Sequence, residues 1–96
     1  MAELRLTVLD PSGLHARPAA QVVRTAGRFQ SRITIHSGDR TADVKSLIAL
    51  LGLTIRPGAE ITLAAEGPDE SAALAALLDE LGTAVQPSPG GADVNP

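Results

Sequence analysis

One short segment, Gly13-Leu14-His15-Ala16-Arg17-Pro18, contains residue types from which an anion-binding nucleophilic site can be built. A proline is tolerated in the first turn of a helix, where its missing N–H costs nothing, so Pro18 indicates a helix start here. His15 then lies at the entrance of that helix, beside backbone N–H groups that bind anions. Arg17 adds a guanidinium group, whose planar set of donors matches phosphate oxygens.

This arrangement suits a phosphoryl acceptor. A neutral imidazole is a nucleophile near neutral pH. The positive end of the helix dipole and the Arg17 guanidinium both oppose protonation, so we expect them to lower the pKa of His15. The same positive field would stabilise an attached phosphoryl group. The alternative is that His15 is only a helix cap or a surface residue.

Composition excludes several other classes of function. The chain has 96 residues and no cysteine, so it can form neither a disulfide nor a thiolate metal site. A net charge of −3 and the absence of Tyr and Trp argue against nucleic-acid binding. No apolar run approaches the length of a membrane span, and the first twenty residues do not resemble a signal peptide. We therefore expect a cytoplasmic protein without membrane insertion.

Hydrophobic periodicity predicts the elements that must position this segment. Alternating residues predict four strands, and apolar residues at helical spacing predict three helices, of which the middle one is short. The predicted strands are Glu3–Leu9, Ile33–His36, Thr41–Val44 and Ile61–Ala65. Ser46 is the expected N-cap of the short helix, and Asp69 is the expected N-cap of the last one.

The resulting order is β-α-β-β-α-β-α, which indicates a two-layer α+β domain with an antiparallel sheet. Residues 1–85 form the predicted domain. Three prolines and two glycines follow Val85, so residues 86–96 are expected to be a flexible tail.

Two motifs carry a family resemblance. The segment from Gly13 to Ala19 resembles the phosphorylation-site signature of HPr, the histidine-containing phosphocarrier of the sugar phosphotransferase system. Lys45-Ser46-Leu47-Ile48 is similar to the serine phosphorylation site of that family, although Leu47, Ile48 and Ala49 depart from its usual Ser-Ile-Met-Gly. The resemblance runs from about Leu4 to Leu81 without gaps.

This resemblance implies an open-faced β-sandwich, with a four-stranded antiparallel sheet covered on one face by three helices. It implies that His15 accepts a phosphoryl group on Nδ1 from phosphorylated enzyme I and passes it to enzyme IIA domains of sugar permeases. Arg17 would steady the phosphoryl group. The protein would be a covalent intermediate in a relay, without a cofactor or metal, rather than an enzyme with its own turnover.

The resemblance also implies a docking surface and a regulatory site. The surface would combine the first helix, at Ala16, Ala20 and Arg24, with the short helix, at Leu47, Ile48 and Leu51. An exposed apolar patch beside an anion site is independently typical of protein docking, whereas Leu50 is better explained as core. Ser46 would be a phosphoserine recognised by an HPr kinase/phosphorylase and a catabolite-control transcription factor. The chain would be a monomer.

Two other interpretations remain open at the level of sequence. The chain could be a regulatory interaction module controlled by Ser46 phosphorylation, without sugar transport. It could also be a small-molecule-sensing domain of ferredoxin-like topology, although this would leave the His15 segment unexplained. His36 is expected to be a plain surface residue, and the pairs Asp69-Glu70 and Asp79-Glu80 are expected to be capping or solvated charges.

Overall fold

A single antiparallel sheet with strand order β3-β2-β4-β1-β5 forms one layer of the computed structural model, which describes residues 1–13 and 16–88. The strands are β1 (Ala2–Val8), β2 (Arg32–Ser37), β3 (Arg40–Asp43), β4 (Glu60–Glu66) and β5 (Val85–Pro87). The helices are α1 (Ala16–Ala26), α2 (Leu47–Leu51) and α3 (Glu70–Leu81), and a 3₁₀ turn, Gly82–Ala84, follows α3. The predicted β-α-β-β-α-β-α order is therefore confirmed.

The three helices cover one face of the sheet, and the other face is open. In β1, Leu6 and Val8 are buried beneath the helices, whereas Glu3 and Arg5 alternate with them and are exposed. β1 pairs with β4 so that Leu6 lies opposite Ile61, and both belong to the core. This alternation is the signal from which the two-layer domain with an antiparallel sheet is predicted. The structure confirms it, together with the open-faced sandwich that the family resemblance implies.

The sheet has a fifth strand that the sequence does not predict. Strand β5 pairs antiparallel with β1, with Val85 opposite Val8, and Val85 is buried. Ser88 donates its backbone N–H to the carbonyl oxygen of Arg5 at 3.0 Å. The folded domain therefore extends past the predicted boundary at residue 85, through Ser88. Residues 89–96 of the predicted tail lie outside the described residues.

A proline is compatible with β5 because of its register. Leu9 donates its N–H to the carbonyl oxygen of Ala84 at 2.7 Å, and Ser88 donates its N–H to the carbonyl oxygen of Arg5. These bonds identify Leu9–Ala84 and Arg5–Ser88 as hydrogen-bonded pairs. Pro87 lies opposite Leu6, between bonded pairs, so its missing N–H falls on the outer edge of the strand. A three-residue strand ending in proline has too little alternation to be recognised in the sequence.

The α3 cap differs from its prediction. Asp69 occupies the N-cap position, but its side chain makes no capping hydrogen bond. Instead its carboxylate accepts the backbone N–H groups of Gln30 and Ser31, each at 2.9 Å, and the Ser31 hydroxyl group. Asp69 therefore fastens the start of α3 to the segment that enters β2. Glu70, the first residue of α3, binds the segment just before the helix, where its Oε1 accepts the Gly67 N–H at 3.1 Å.

These hydrogen bonds make Asp69 sensitive to pH. The Ser31 hydroxyl and the Gln30 N–H stabilise the ionised carboxylate and lower the pKa of Asp69 below its ordinary value of 3.8. A carboxyl group with a lowered pKa in the folded state stabilises the fold above its unfolded pKa, and this contribution disappears as pH falls through the folded pKa.

We predict that Asp69→Asn lowers the melting temperature at neutral pH and flattens its decline in acid. The melting temperature should fall less in the variant than in the wild type as pH drops from neutral to below 3.8. Thermal unfolding across that range tests this. Asp79→Asn, at an exposed site on α3, is the control and should follow the wild type. Parallel curves for Asp69→Asn and the wild type would contradict the assigned role.

Candidate functional site

Described residues flank the predicted phosphoryl acceptor on both sides. Leu14 and His15 lie outside the described residues, so the site is built here from Gly13 before them and Ala16 after them. Helix α1 begins at Ala16, directly after His15 in the chain. Pro18 is the third residue of this helix, a position whose N–H has no partner within the helix.

The N-terminal turn of α1 carries positive charge only. It contains no acidic residue, and Arg17 is exposed there. Neither of the two ion pairs found among the described residues includes Arg17. The positive end of the helix dipole is therefore reinforced by an adjacent guanidinium group and opposed by no carboxylate of its own turn.

The turn before the site is held by local hydrogen bonds. Gly13 donates its N–H to the carbonyl oxygen of Asp10 at 2.8 Å, which closes the turn Asp10-Pro11-Ser12-Gly13. The Asp10 side chain accepts the Ser12 N–H, also at 2.8 Å. At the base of the turn, the carbonyl oxygen of Ala84 accepts the N–H groups of Leu9 at 2.7 Å and Asp10 at 3.2 Å. These two hydrogen bonds attach the turn to the segment that leads into β5.

Gly13 fits a place where no side chain could fit. It is buried and has a φ of +68°, in the left-handed region that favours glycine. A Cβ at this position would collide with the carbonyl oxygen of Ile55 and lie 3.1 Å from the Cα of Arg56. The backbone just before His15 is therefore packed directly on the backbone that follows α2. No sequence pattern predicts this contact, because it joins two turns that are far apart in the chain.

Helix α2 begins as predicted. The Ser46 hydroxyl accepts the N–H of Ala49 at 3.2 Å, and the Ser46 carbonyl accepts the N–H of Leu50 at 3.0 Å. Ser46 has extended backbone geometry, as an N-cap residue requires. Its role as a cap is confirmed, and its hydroxyl lies at the positive end of a short helix.

The apolar residues of α2 divide between core and surface. Leu50 is buried, with 2% of its surface exposed, whereas Ile48 is 86% exposed. Leu47 and Leu51 are about one-third exposed, at 36% and 37%. We call Leu47, Ile48 and Leu51 the α2 patch. Helix α2 packs against α1, where Ala16 and Arg24 are exposed and Ala20 is half-buried. The predicted docking residues therefore lie on two adjacent helices.

The remaining sequence candidates lie elsewhere. His36 is half-buried on the open face of the sheet, beside a shallow depression of about 460 Å³ that Arg5, Glu60 and Thr62 also line. Asp79 and Glu80 are exposed on α3. Within residues 1–13 and 16–88, no three His, Asp or Glu side chains are grouped so that they could hold a metal ion. Among the described helices, none is long and apolar enough to cross a membrane.

Residues 2–82 match the family model described as the PTS HPr component phosphorylation site. The chain belongs to the HPr family. It is 42% identical over 87 residues to the phosphocarrier protein HPr of Lysinibacillus sphaericus, an alignment that covers 88% of this chain and 99% of that protein. The family resemblance seen in the sequence is thereby confirmed, as is a phosphocarrier function in the phosphotransferase system.

Two further proteins are similar to this chain, one in structure and one in sequence. The mycoplasma histidine-containing phosphocarrier protein superposes with a TM-score of 0.82 and 34% identity, covering 83% of this chain and 91% of that HPr. A multiphosphoryl transfer protein of Xanthomonas campestris pv. campestris is 48% identical over 78 residues. That alignment covers 78% of this chain but only 9% of the larger protein, so the similarity concerns an HPr-like portion of it.

The packing of Gly13 gives a prediction with an internal control. Gly38 has nearly the same φ, +66°, but a Cβ there would meet nothing within 4 Å. Gly38→Ala should therefore cost about 1 kcal/mol of unfolding free energy, from backbone strain alone. Gly13→Ala should cost about 3 kcal/mol, because the methyl group also displaces the Ile55–Arg56 backbone. Urea unfolding measures both, and equal losses would show that the contact is not tight.

Proposed function

We propose that His15 is the phosphoryl acceptor, and that it receives its phosphoryl group from phosphorylated enzyme I and passes it to enzyme IIA domains of sugar permeases. The observation that carries this proposal is the start of α1. The helix begins at Ala16, the residue after His15, and its first turn has Arg17 and no acidic side chain. An incoming phosphoryl group therefore meets a positive field next to the nucleophile in the chain.

The transfer needs no cofactor. The Nδ1 lone pair of a neutral imidazole attacks phosphorus, a P–N bond forms, and the bond between phosphorus and the donor breaks, with its electron pair leaving on the donor. Arg17 steadies the phosphoryl oxygens. In the second transfer His15 becomes the leaving group. The chain acts as a covalent intermediate between two partners, so it is a carrier without turnover of its own.

Partner docking is proposed for the surface formed by α1 and α2. An exposed apolar patch next to an anion site suits a protein partner that must bring a phosphoryl group to His15. The α2 patch supplies the apolar contact, and Ala16, Ala20 and Arg24 supply the adjoining surface of α1. We place this exchange in the cytoplasm and treat the chain as a monomer.

We also propose that Ser46 is a regulatory phosphorylation site, read by an HPr kinase/phosphorylase and a catabolite-control transcription factor. Its position at the N-terminus of α2 supports this, because the helix dipole tolerates a phosphate of about −1.5 to −2 charges there. The phosphate would then leave the fold intact and act by repelling acidic partners. A chain with only this regulatory function, without sugar transport, is the alternative.

The acceptor is tested with the two histidines of the chain. His15→Ala should abolish the gain of one acid-labile phosphoryl group when the protein is incubated with phosphoenolpyruvate and enzyme I. His36→Ala, on the open face of the sheet, should leave that gain unchanged. Intact mass spectrometry measures both. Phosphorylation of His15→Ala at the normal rate would rule out His15 as the acceptor.

Ser46 is tested by a charge substitution. Asp is also a good N-cap, so Ser46→Asp should keep the melting temperature close to that of the wild type. It should slow transfer from enzyme I about fivefold at low salt, because a negative charge then lies beside the α2 patch. The loss should shrink as salt is raised, since the Debye length is roughly 8 Å at physiological ionic strength.

Ser71→Asp is the matched control for this experiment. It adds the same charge at an exposed position in the first turn of α3, a helix that packs against α1, β1 and β4, whereas α2 packs against α1 and β3. Transfer to Ser71→Asp should be normal. If Ser46→Asp transfers as fast as wild type at low salt, Ser46 acts only as a cap and the regulatory proposal fails.

A further inference from the structure

We propose that Arg56 is a second cation of the phosphoryl site, acting with Arg17, and that the packing of Gly13 holds it there. This inference rests on the proposed acceptor role of His15 and adds a residue to that site.

The backbone contact sets the position of Arg56. A Cβ on Gly13 would lie 3.1 Å from the Cα and 3.3 Å from the carbonyl carbon of Arg56, so the two backbones touch. Gly13 and Ala16 are three residues apart, a span of at most about 11 Å between Cα atoms. An extended arginine side chain starting at Arg56 can therefore approach the N-terminus of α1 across this short distance.

The backbone of Arg56 is fixed on both sides, although its side chain is exposed. Ile55 before it is buried in the core. After it, the Ala59 N–H donates to the Arg56 carbonyl oxygen at 3.1 Å, and Gly58, with a φ of +85°, completes the tight turn. Gly58 also donates its N–H to Val8 at 2.8 Å. The turn is thus tied to β1, which leads into the Asp10–Gly13 turn.

The side chain of Arg56 is free for a ligand. Arg56 is exposed and belongs to neither ion pair among the described residues. Asp10, in the turn that ends at Gly13, has its carboxylate engaged by the Ser12 N–H. A guanidinium group whose backbone touches Gly13 adds a second positive charge close in space to the turn that leads to α1. It favours the approach of a phosphorylated donor and disfavours protonation of the imidazole.

The experiment compares Arg56→Gln with Arg32→Gln. Both remove one positive charge from an exposed side chain. The two arginines lie at opposite ends of β4. Arg32 is paired with Glu66, the last residue of β4, whereas the turn that contains Arg56 comes just before its first residue. Effects of net charge alone are therefore equal in the two variants, and only the effect of position differs.

Two measurements are made at low ionic strength. The pKa of His15, from an NMR titration of its ring protons, should rise by about 0.3 unit in Arg56→Gln, because one nearby positive charge that opposes protonation through water is removed. The KM for phosphorylated enzyme I should rise about two- to threefold, with little change in kcat. Arg32→Gln should change neither quantity, and Arg56→Lys should restore both.

Each outcome decides a separate point. Equal effects of Arg56→Gln and Arg32→Gln on both measurements would overturn the proposal, and so would a failure of Arg56→Lys to restore them. The proposed function fails by a different result, namely phosphorylation of His15→Ala at the normal rate. The titration of His15 does not depend on transfer, so it tests the charge of Arg56 even if the donor differs from enzyme I.

Discussion

The contact between Gly13 and the Ile55–Arg56 backbone is the constraint on which the site depends. Because Gly13 has no side chain, the turn that follows β1 can lie directly on the turn that follows α2. The same glycine must take a left-handed conformation, which places two requirements on one residue. This contact therefore holds the turn that ends at Gly13 against the segment that follows α2.

The opposite end of the helical layer is held by polar contacts instead. Asp69 joins the start of α3 to Gln30 and Ser31, and the Lys45 ammonium group donates to the carbonyl oxygen of Phe29 at 2.7 Å. Both contacts fix the segment between α1 and β2 from neighbouring elements. Gly13 at one end of α1 and these contacts at the other therefore hold the segments on both sides of this helix.

The elements that alternate clearly were predictable, and the contacts that join distant turns were not. Strands β1, β2 and β4 each have one buried face, and Ser46 caps α2 as its residue type suggests. Asp69 occupies the predicted N-cap position of α3, but its carboxylate binds Gln30 and Ser31 rather than its own helix. The sequence cannot distinguish these two uses, because a carboxylate at an N-cap looks the same in both. Thr54 illustrates the same limit, since it has a φ of +52°, a conformation that its residue type does not predict.

Charge is separated between the helices, and this separation gives the proposed regulation its physical basis. Helix α1 carries two arginines and no acid, α2 carries no charge, and α3 carries three acids and no cation. The molecule as a whole has a net charge of −3, yet the two helices of the proposed docking surface together carry two positive charges, both on α1, and no negative one. A phosphate of about −1.5 to −2 charges on Ser46 would therefore nearly cancel the charge of this surface, without any change in the fold. Repulsion of an acidic partner then follows from the local balance of charge, and it requires no second conformation.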